Sequence, residues 1–177
     1  MSFSQTYLDQ TIQIANSLDP EIIENIARGL SLLRERNGRL FFIGSGGGAG
    51  HASHAVNDFR KIANIECYTP TDNVSELTAR INDDGWDTSL SSWLKVSKLS
   101  NKDAIFVFSV GGGNLIKKVS VNLINAALYA KKRDTKIFGI VGRDDGFIAK
   151  NADNVVIIPN VNPSLITPFS EAYQAVV

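Results

Sequence analysis

Apolar positions in the first 37 residues recur at helical spacing. Phe3, Tyr7, Leu8, Ile12, Ala15 and Leu18 form one series, and Ile22, Ile23, Ile26, Ala27, Leu30 and Leu33 form a second. Asp19 is placed to cap the second helix and Pro20 fits its first turn, while Asn37-Gly38 is a C-terminal stop. Two helices carrying this much apolar surface must pack on something, either the rest of the chain or a neighbouring subunit. From residue 39 the pattern changes to short runs rich in aromatic and branched residues. These predict strands at 39–43, 65–68, 103–109, 136–141 and 154–158. Between them, helical patterning covers about 50–63, 74–82, 86–98 and 118–132, with a short helix before the last strand. Asn73 with Glu76 three residues on is a capping box for the helix at 74. A Pro/Asn-rich loop follows at 159–168, and Ser170 to Val177 reads as the first two turns of an apolar-faced helix. That helix lacks a stop signal, which predicts a native chain that continues past Val177.

Strand–helix alternation predicts an α/β fold, a doubly wound and mainly parallel five-stranded sheet flanked by helices. It is read as one domain over 1–177, with a helical prefix at 1–37 and the α/β core at 38–177. In such sheets ligands sit beyond the carboxyl ends of the strands. Two glycine clusters fall there, Gly44-Ser45-Gly46-Gly47-Gly48-Ala49-Gly50 and Gly111-Gly112-Gly113-Asn114. Glycine lets bare backbone N–H groups crowd a ligand, and a following helix adds free N–H donors and a positive dipole end. Two such loops predict a crevice that grips an anionic small molecule from both sides.

The helix after the first loop carries His51, His54 and Asp58, at offsets of three, four and seven that put them on one stripe. His54 with Asp58 one turn on suits a zinc-like ion or proton transfer; a solvated polar face is the plain alternative. Asn82-Asp83-Asp84-Gly85 reads as a turn between helices, Ser109 as a strand-end serine able to donate to phosphate, and Asp144 and Asp145 as exposed. A rival pattern is Gly44-x-Gly46-x-x-Ala49 with Glu66 twenty residues past Gly46, a relaxed dinucleotide fingerprint. It leaves the second loop and the histidine stripe unused and ranks second among enzyme readings.

Composition narrows the classes. Lys plus Arg equals Asp plus Glu, 18 each, and no basic run exceeds the three residues at 131–133, so nucleic-acid binding has no support. No apolar run approaches the ~18 residues of a membrane span, and no secretory signal opens the chain. The one cysteine, Cys67, allows no internal disulfide and fits a reducing cytoplasm, where it reads as a buried strand residue.

The order strand–Gly-x-Gly-Gly–helix with histidine, then Asn-Asp-x-Gly, then strand–Ser-x-x-Gly–helix resembles the sugar isomerase (SIS) domains. Within them it is similar to the phosphoheptose isomerases. Gly44-Ser45-Gly46-Gly47 with His54, and Thr71 to Ala79 running into Asn82-Asp83-Asp84-Gly85, carry the likeness, which covers essentially the whole chain. The resemblance implies an aldose–ketose isomerase that converts sedoheptulose 7-phosphate to a heptose 7-phosphate through an enediol. It also implies a cytoplasmic homotetramer with shared active sites, often zinc-bound, with no nucleotide cofactor.

By the same resemblance, Ser45, Gly46 and Gly47 match the substrate loop, with Gly48 where the family has a serine. His54 matches a metal ligand, and Asp58 takes the place of a catalytic, metal-binding glutamate; in the isomerase reading Asp58 shuttles the proton while His54, or a metal on it, polarises the carbonyl oxygen. Asn82 and Asp83 match substrate contacts. Ser109, Val110 and Gly111 fall on a Ser-Thr-Ser phosphate clasp, with Asn114 near a further serine. Ser170 aligns with a glutamine ligand, and the family's catalytic histidine would fall at position 178. Lost hydroxyls at 48, 110, 111 and 114 mark a divergent branch. They also leave open a second reading, a phosphosugar-binding or regulatory SIS protein without catalysis.

Overall fold

A computed structural model describes residues 1–177. Five strands form one sheet in the order β2-β1-β3-β4-β5: β1 Leu40–Gly44, β2 Cys67–Tyr68, β3 Ala104–Ser109, β4 Lys136–Val141 and β5 Asn154–Ile157. Every pairing is parallel. The helices are α1 Phe3–Ser17, α2 Pro20–Glu35, α3 Gly47–Lys61, α4 Val74–Asp84, α5 Ser89–Val96, α6 Val121–Lys132, α7 Phe147–Asn151 and α8 Ile166–Val176. None is long and apolar enough to cross a membrane.

The period-two alternation of the strands splits the core into two layers. Leu40, Phe42, Phe106, Phe108, Phe138 and Ile140 face the layer built by α1, α2, α3 and α8, which contribute Ile14, Leu30, Leu33, Ala52, Val56, Phe169 and Tyr173. Phe41, Ile43, Ile105, Val107, Ile137 and Val141 face α5, α6 and α7 through Leu90, Leu94, Leu123, Ala127 and Ile148. The prefix therefore packs on its own chain. Tyr7 stacks on Phe169 at 4.7 Å between centroids, and the Tyr173 hydroxyl donates to the Thr11 carbonyl. Leu8 and Ile12 stay exposed along α1, as does Phe3, whose ring lies 6.2 Å from that of Tyr7.

Helix ends depart most from the sequence pattern. Helix α3 begins at Gly47 rather than 50, so three glycines lie inside its first turn. Helix α4 runs through Asp84, so Asn82 and Asp83 are helical and Gly85, at φ 85°, is the cap. The 86–98 segment divides into a 3-10 turn at Trp86–Thr88 and α5. Helix α6 starts at 121 because Lys118 and Ser120 are left-handed, at φ 51° and 52°. The 159–168 loop holds a 3-10 turn at Pro163–Leu165, and α8 starts at Ile166 rather than 170. At the base of the sheet Arg39 Nε and Nη2 donate to Asp103 Oδ1 and Oδ2 at 3.1 and 2.9 Å, a bidentate clamp joining the starts of β1 and β3.

Candidate active site

Strands β1 and β3 are neighbours with Gly44 paired to Phe108, so both glycine loops leave the same edge side by side. In the first loop Gly46 turns the chain at φ 59°, and a Cβ there would meet nothing within 4 Å. Gly48 is different: a Cβ would stand 2.5 Å from the Phe108 carbonyl oxygen, because the start of α3 is pressed onto β3. Its N–H is already spent on the Ser45 carbonyl at 3.2 Å. Ser45 Oγ accepts from Asn122 Nδ2 at 3.4 Å, and Asn122 is fully buried at the start of α6. This brace to the first loop comes from 77 residues away.

In the second loop Ser109 Oγ accepts the Gly112 N–H at 3.0 Å, which shapes the loop and leaves the hydroxyl proton free to donate. A Cβ on Gly111 would meet nothing within 4 Å. Val110 accepts the Gly142 N–H through its carbonyl at 2.9 Å. Asn114 Oδ1 accepts the Lys117 N–H at 2.9 Å, and Asn114 pairs antiparallel with Val119, so the longer stretch after the loop is a small hairpin.

Gly47, His51, His54 and Asp58 follow one another along α3 at steps of four, three and four. His54 Nε2 and Asp58 Oδ2 are 3.3 Å apart, with side chains 77% and 45% exposed, so the pair adds little to stability. The stripe borders a mainly apolar cavity of about 550 Å³ whose floor includes Phe42, Phe106 and Phe108, walled by α2 through Ile23, Ile26, Ala27 and Leu30 and by the end of α8. Helix α8 meets α3 at its head, where the Glu171 carboxylate lies against Gly47. Gln174, one turn further, lines the cavity with His51, His54 and Asp58. Ser170 does not reach it: its hydroxyl donates to the Ile166 carbonyl and it packs against Gly142. Nor do Asn82 and Asp83, which lie exposed on the last turn of α4 with Asn82 Nδ2 donating to Asp83 Oδ1 at 2.8 Å. Within one chain the structure thus gathers the two loops and the α3 stripe, and leaves Ser170, Asn82 and Asp83 apart.

His54 and Asp58 are two donors, and no group of three or more His, Cys, Asp or Glu side chains converges on them. A catalytic zinc takes three protein ligands, and His54 and Asp58 supply two of them. The dinucleotide fingerprint fares worse, because Glu66 precedes β2 and its carbonyl accepts the Leu40 N–H, at the base of the sheet opposite the loops. Burial pushes the Cys67 thiol up to about 11, against a smaller opposing pull from Arg60, as befits a core residue. Asp144 and Asp145 are exposed.

Sequence reasoning missed Asn122, Glu171 and Gln174. The available signal was weak: a carboxylate and an amide three residues apart on an otherwise apolar helix.

No family model matches the chain. A phosphoheptose isomerase of Sulfurimonas denitrificans is 31% identical over 144 residues, which are 78% of this chain and 70% of that protein. The lincomycin biosynthesis protein LmbN of Streptomyces lincolnensis is 26% identical over all of this chain, which spans 66% of that protein's length. Among solved structures, a phosphoheptose isomerase from Francisella tularensis superposes with a TM-score of 0.80 at 20% identity, covering 99% of this chain and 94% of that one.

Proposed function

The chain belongs to the phosphoheptose isomerase family, and from that premise we propose that it interconverts sedoheptulose 7-phosphate and a heptose 7-phosphate. The observation that carries the reading is the spacing along α3. Gly47 and Asp58 are eleven residues apart on one helix stripe, about 16 Å of axial rise. Side chains lean toward the helix N-terminus, which brings the Asp58 carboxylate back by roughly 2–3 Å. A phosphate held by the loops then needs its reacting carbons roughly 10 Å away, once contact distances at each end are allowed for. At roughly 1.3 Å of advance per bond, a seven-carbon chain spans about 10 Å from phosphorus to C1, and a triose about half that.

Backbone N–H groups and the free Ser109 proton bind the phosphate in place of the hydroxyls this branch lacks. Asp58 takes the proton from C1 of the ketose and returns it to C2, through an enediolate whose oxygen proton His54 passes between O2 and O1. The shared-site homo-oligomer belongs to the same reading, with the exposed Asn82 and Asp83 offered to a neighbouring subunit. Zinc in that assembly would be held by His54 and Asp58 together with donors from elsewhere and would polarise the carbonyl oxygen.

The test is incubation with sedoheptulose 7-phosphate in D₂O, following the C1 and C2 protons by NMR. Deuterium uptake that disappears in Asp58→Asn supports the isomerase. Clear binding without exchange would assign the protein to the binding-only alternative.

A further inference from the structure

Gly44 pairs with Phe108, so Ser45 and Ser109 stand level where two adjacent parallel strands end, about 4.8 Å apart. The alternation that turns Ile43 and Val107 toward α5, α6 and α7 carries both serines to the same side. Asn122, fully buried at the start of α6, meets this row at Ser45. The direction of each hydrogen bond follows. The Leu123 N–H, which also reaches the Ser120 carbonyl at 3.1 Å, donates to Asn122 Oδ1 at 2.9 Å, and this fixes which end of the amide is oxygen. The end facing Ser45 is therefore the NH2 group, and Ser45 Oγ accepts from it at 3.4 Å. A hydroxyl that accepts in this way keeps its own proton for a further partner. Ser109 is in the same state, because its Oγ accepts the Gly112 N–H at 3.0 Å. We propose that Asn122 is a positioning residue that holds the Ser45 hydroxyl as a donor, so that each loop offers one proton to the phosphate of the sugar; this rests on the phosphosugar reading above. A phosphate dianion accepts at every oxygen and donates from none, whereas a sugar hydroxyl does both, so a pair of oriented donors selects phosphate. At O–H···O⁻ distances of about 2.6 Å, donors this close together reach the oxygens of one phosphate.

The experiment is a double-mutant cycle of Ser45→Ala and Asn122→Leu, read by calorimetric binding of sedoheptulose 7-phosphate, steady-state kinetics and melting temperature. Ser45→Ala should weaken binding by about tenfold, the loss of one hydrogen bond to a charged group. Asn122→Leu should weaken it by about threefold, because an unheld hydroxyl spreads over three staggered wells. In the Ser45→Ala background Asn122→Leu should change affinity no further, since its effect runs through that hydroxyl. The losses should fall on KM, with kcat within about threefold of wild type. Ser45→Ala also leaves a buried amide nitrogen unpaired and should lower the ligand-free melting temperature by about 4 °C, which the double variant recovers. Equal effects of Asn122→Leu in both backgrounds overturn the proposal and assign Asn122 to packing. If leucine at 122 does not fold, Ser45→Ala alone decides, because an unchanged melting temperature or an unchanged affinity there overturns the proposal. Wild type that binds the sugar phosphate without isomerising it defeats the isomerase reading and leaves this proposal to the cycle. Wild type that binds neither sedoheptulose 7-phosphate nor inorganic phosphate defeats the phosphosugar reading and this proposal together.

Discussion

Placing a serine at position 48, where the resemblance to the family implies one, should damage the protein. A Cβ at Gly48 would stand 2.5 Å from the carbonyl oxygen and 3.1 Å from the carbonyl carbon of Phe108. Both are backbone atoms of β3, the middle strand of the sheet, so neither can swing aside as a side-chain tip would. Relief requires α3 to lift by a good part of an ångström, which loosens the buried contacts of Ala52 and Val56 with the core. Overpacking of this kind costs about 1–3 kcal/mol, and a clash with sheet backbone belongs at the upper end. For a chain of this size about 3 kcal/mol lowers the melting temperature by roughly 6–12 °C. Gly50→Ser is the control, since a Cβ there meets nothing within 4 Å on the same helix. Serine is better than glycine in a helix by a few tenths of a kcal/mol, so this variant should melt at or slightly above wild type. Thermal denaturation followed by circular dichroism on the three proteins is the assay. A Gly48→Ser protein melting within about 2 °C of wild type would refute the claim that close packing, rather than drift, keeps this position bare.

Gly111→Ser should be tolerated, because that Cβ faces open space, and should tighten phosphosugar binding by about threefold to tenfold through a new hydroxyl beside Ser109; unchanged affinity in a calorimetric titration counts against phosphate binding at the second loop. Asp103 is pushed up by burial, but its bonds from Arg39 and Ser100 outweigh this and hold its carboxyl below the usual range. Its contribution to stability is therefore complete above the ordinary carboxylate pKa of ~4 and lost as pH falls through the lower folded value. Asp103→Asn should cost about 2–4 kcal/mol at neutral pH and flatten the acid limb of the stability profile, and a variant that keeps the wild-type limb would refute this. Cys67, buried and with its thiol near 11, should react with a thiol reagent at neutral pH only as fast as the chain opens; stoichiometric labelling within seconds would contradict its place in the core.

Much of the fold was legible because it rests on neighbours in sequence. Continuous apolar runs within 39–43 and 103–109 marked strands buried on both faces, and the order of elements implied a parallel sheet with both glycine loops at one edge. The His51, His54 and Asp58 stripe followed from helical geometry alone. Boundaries were less legible. Three glycines opened α3 and left-handed residues delayed α6, because tertiary packing overrides weak local preferences. The far wall of the site was not legible at all. Which face α8 turns to the cavity depends on Tyr173 and Phe169 locking into the prefix and core, and that rotation sends Ser170 to Gly142 and Gln174 to the cavity. Local patterning thus settled the elements and the stripe, since these depend on residues within a few positions of one another. The meeting of Glu171 and Asn122 with the first loop, and of Gln174 with the cavity beside the stripe, was decided only by tertiary structure, because helix orientation and sheet order bring together groups that the chain keeps far apart.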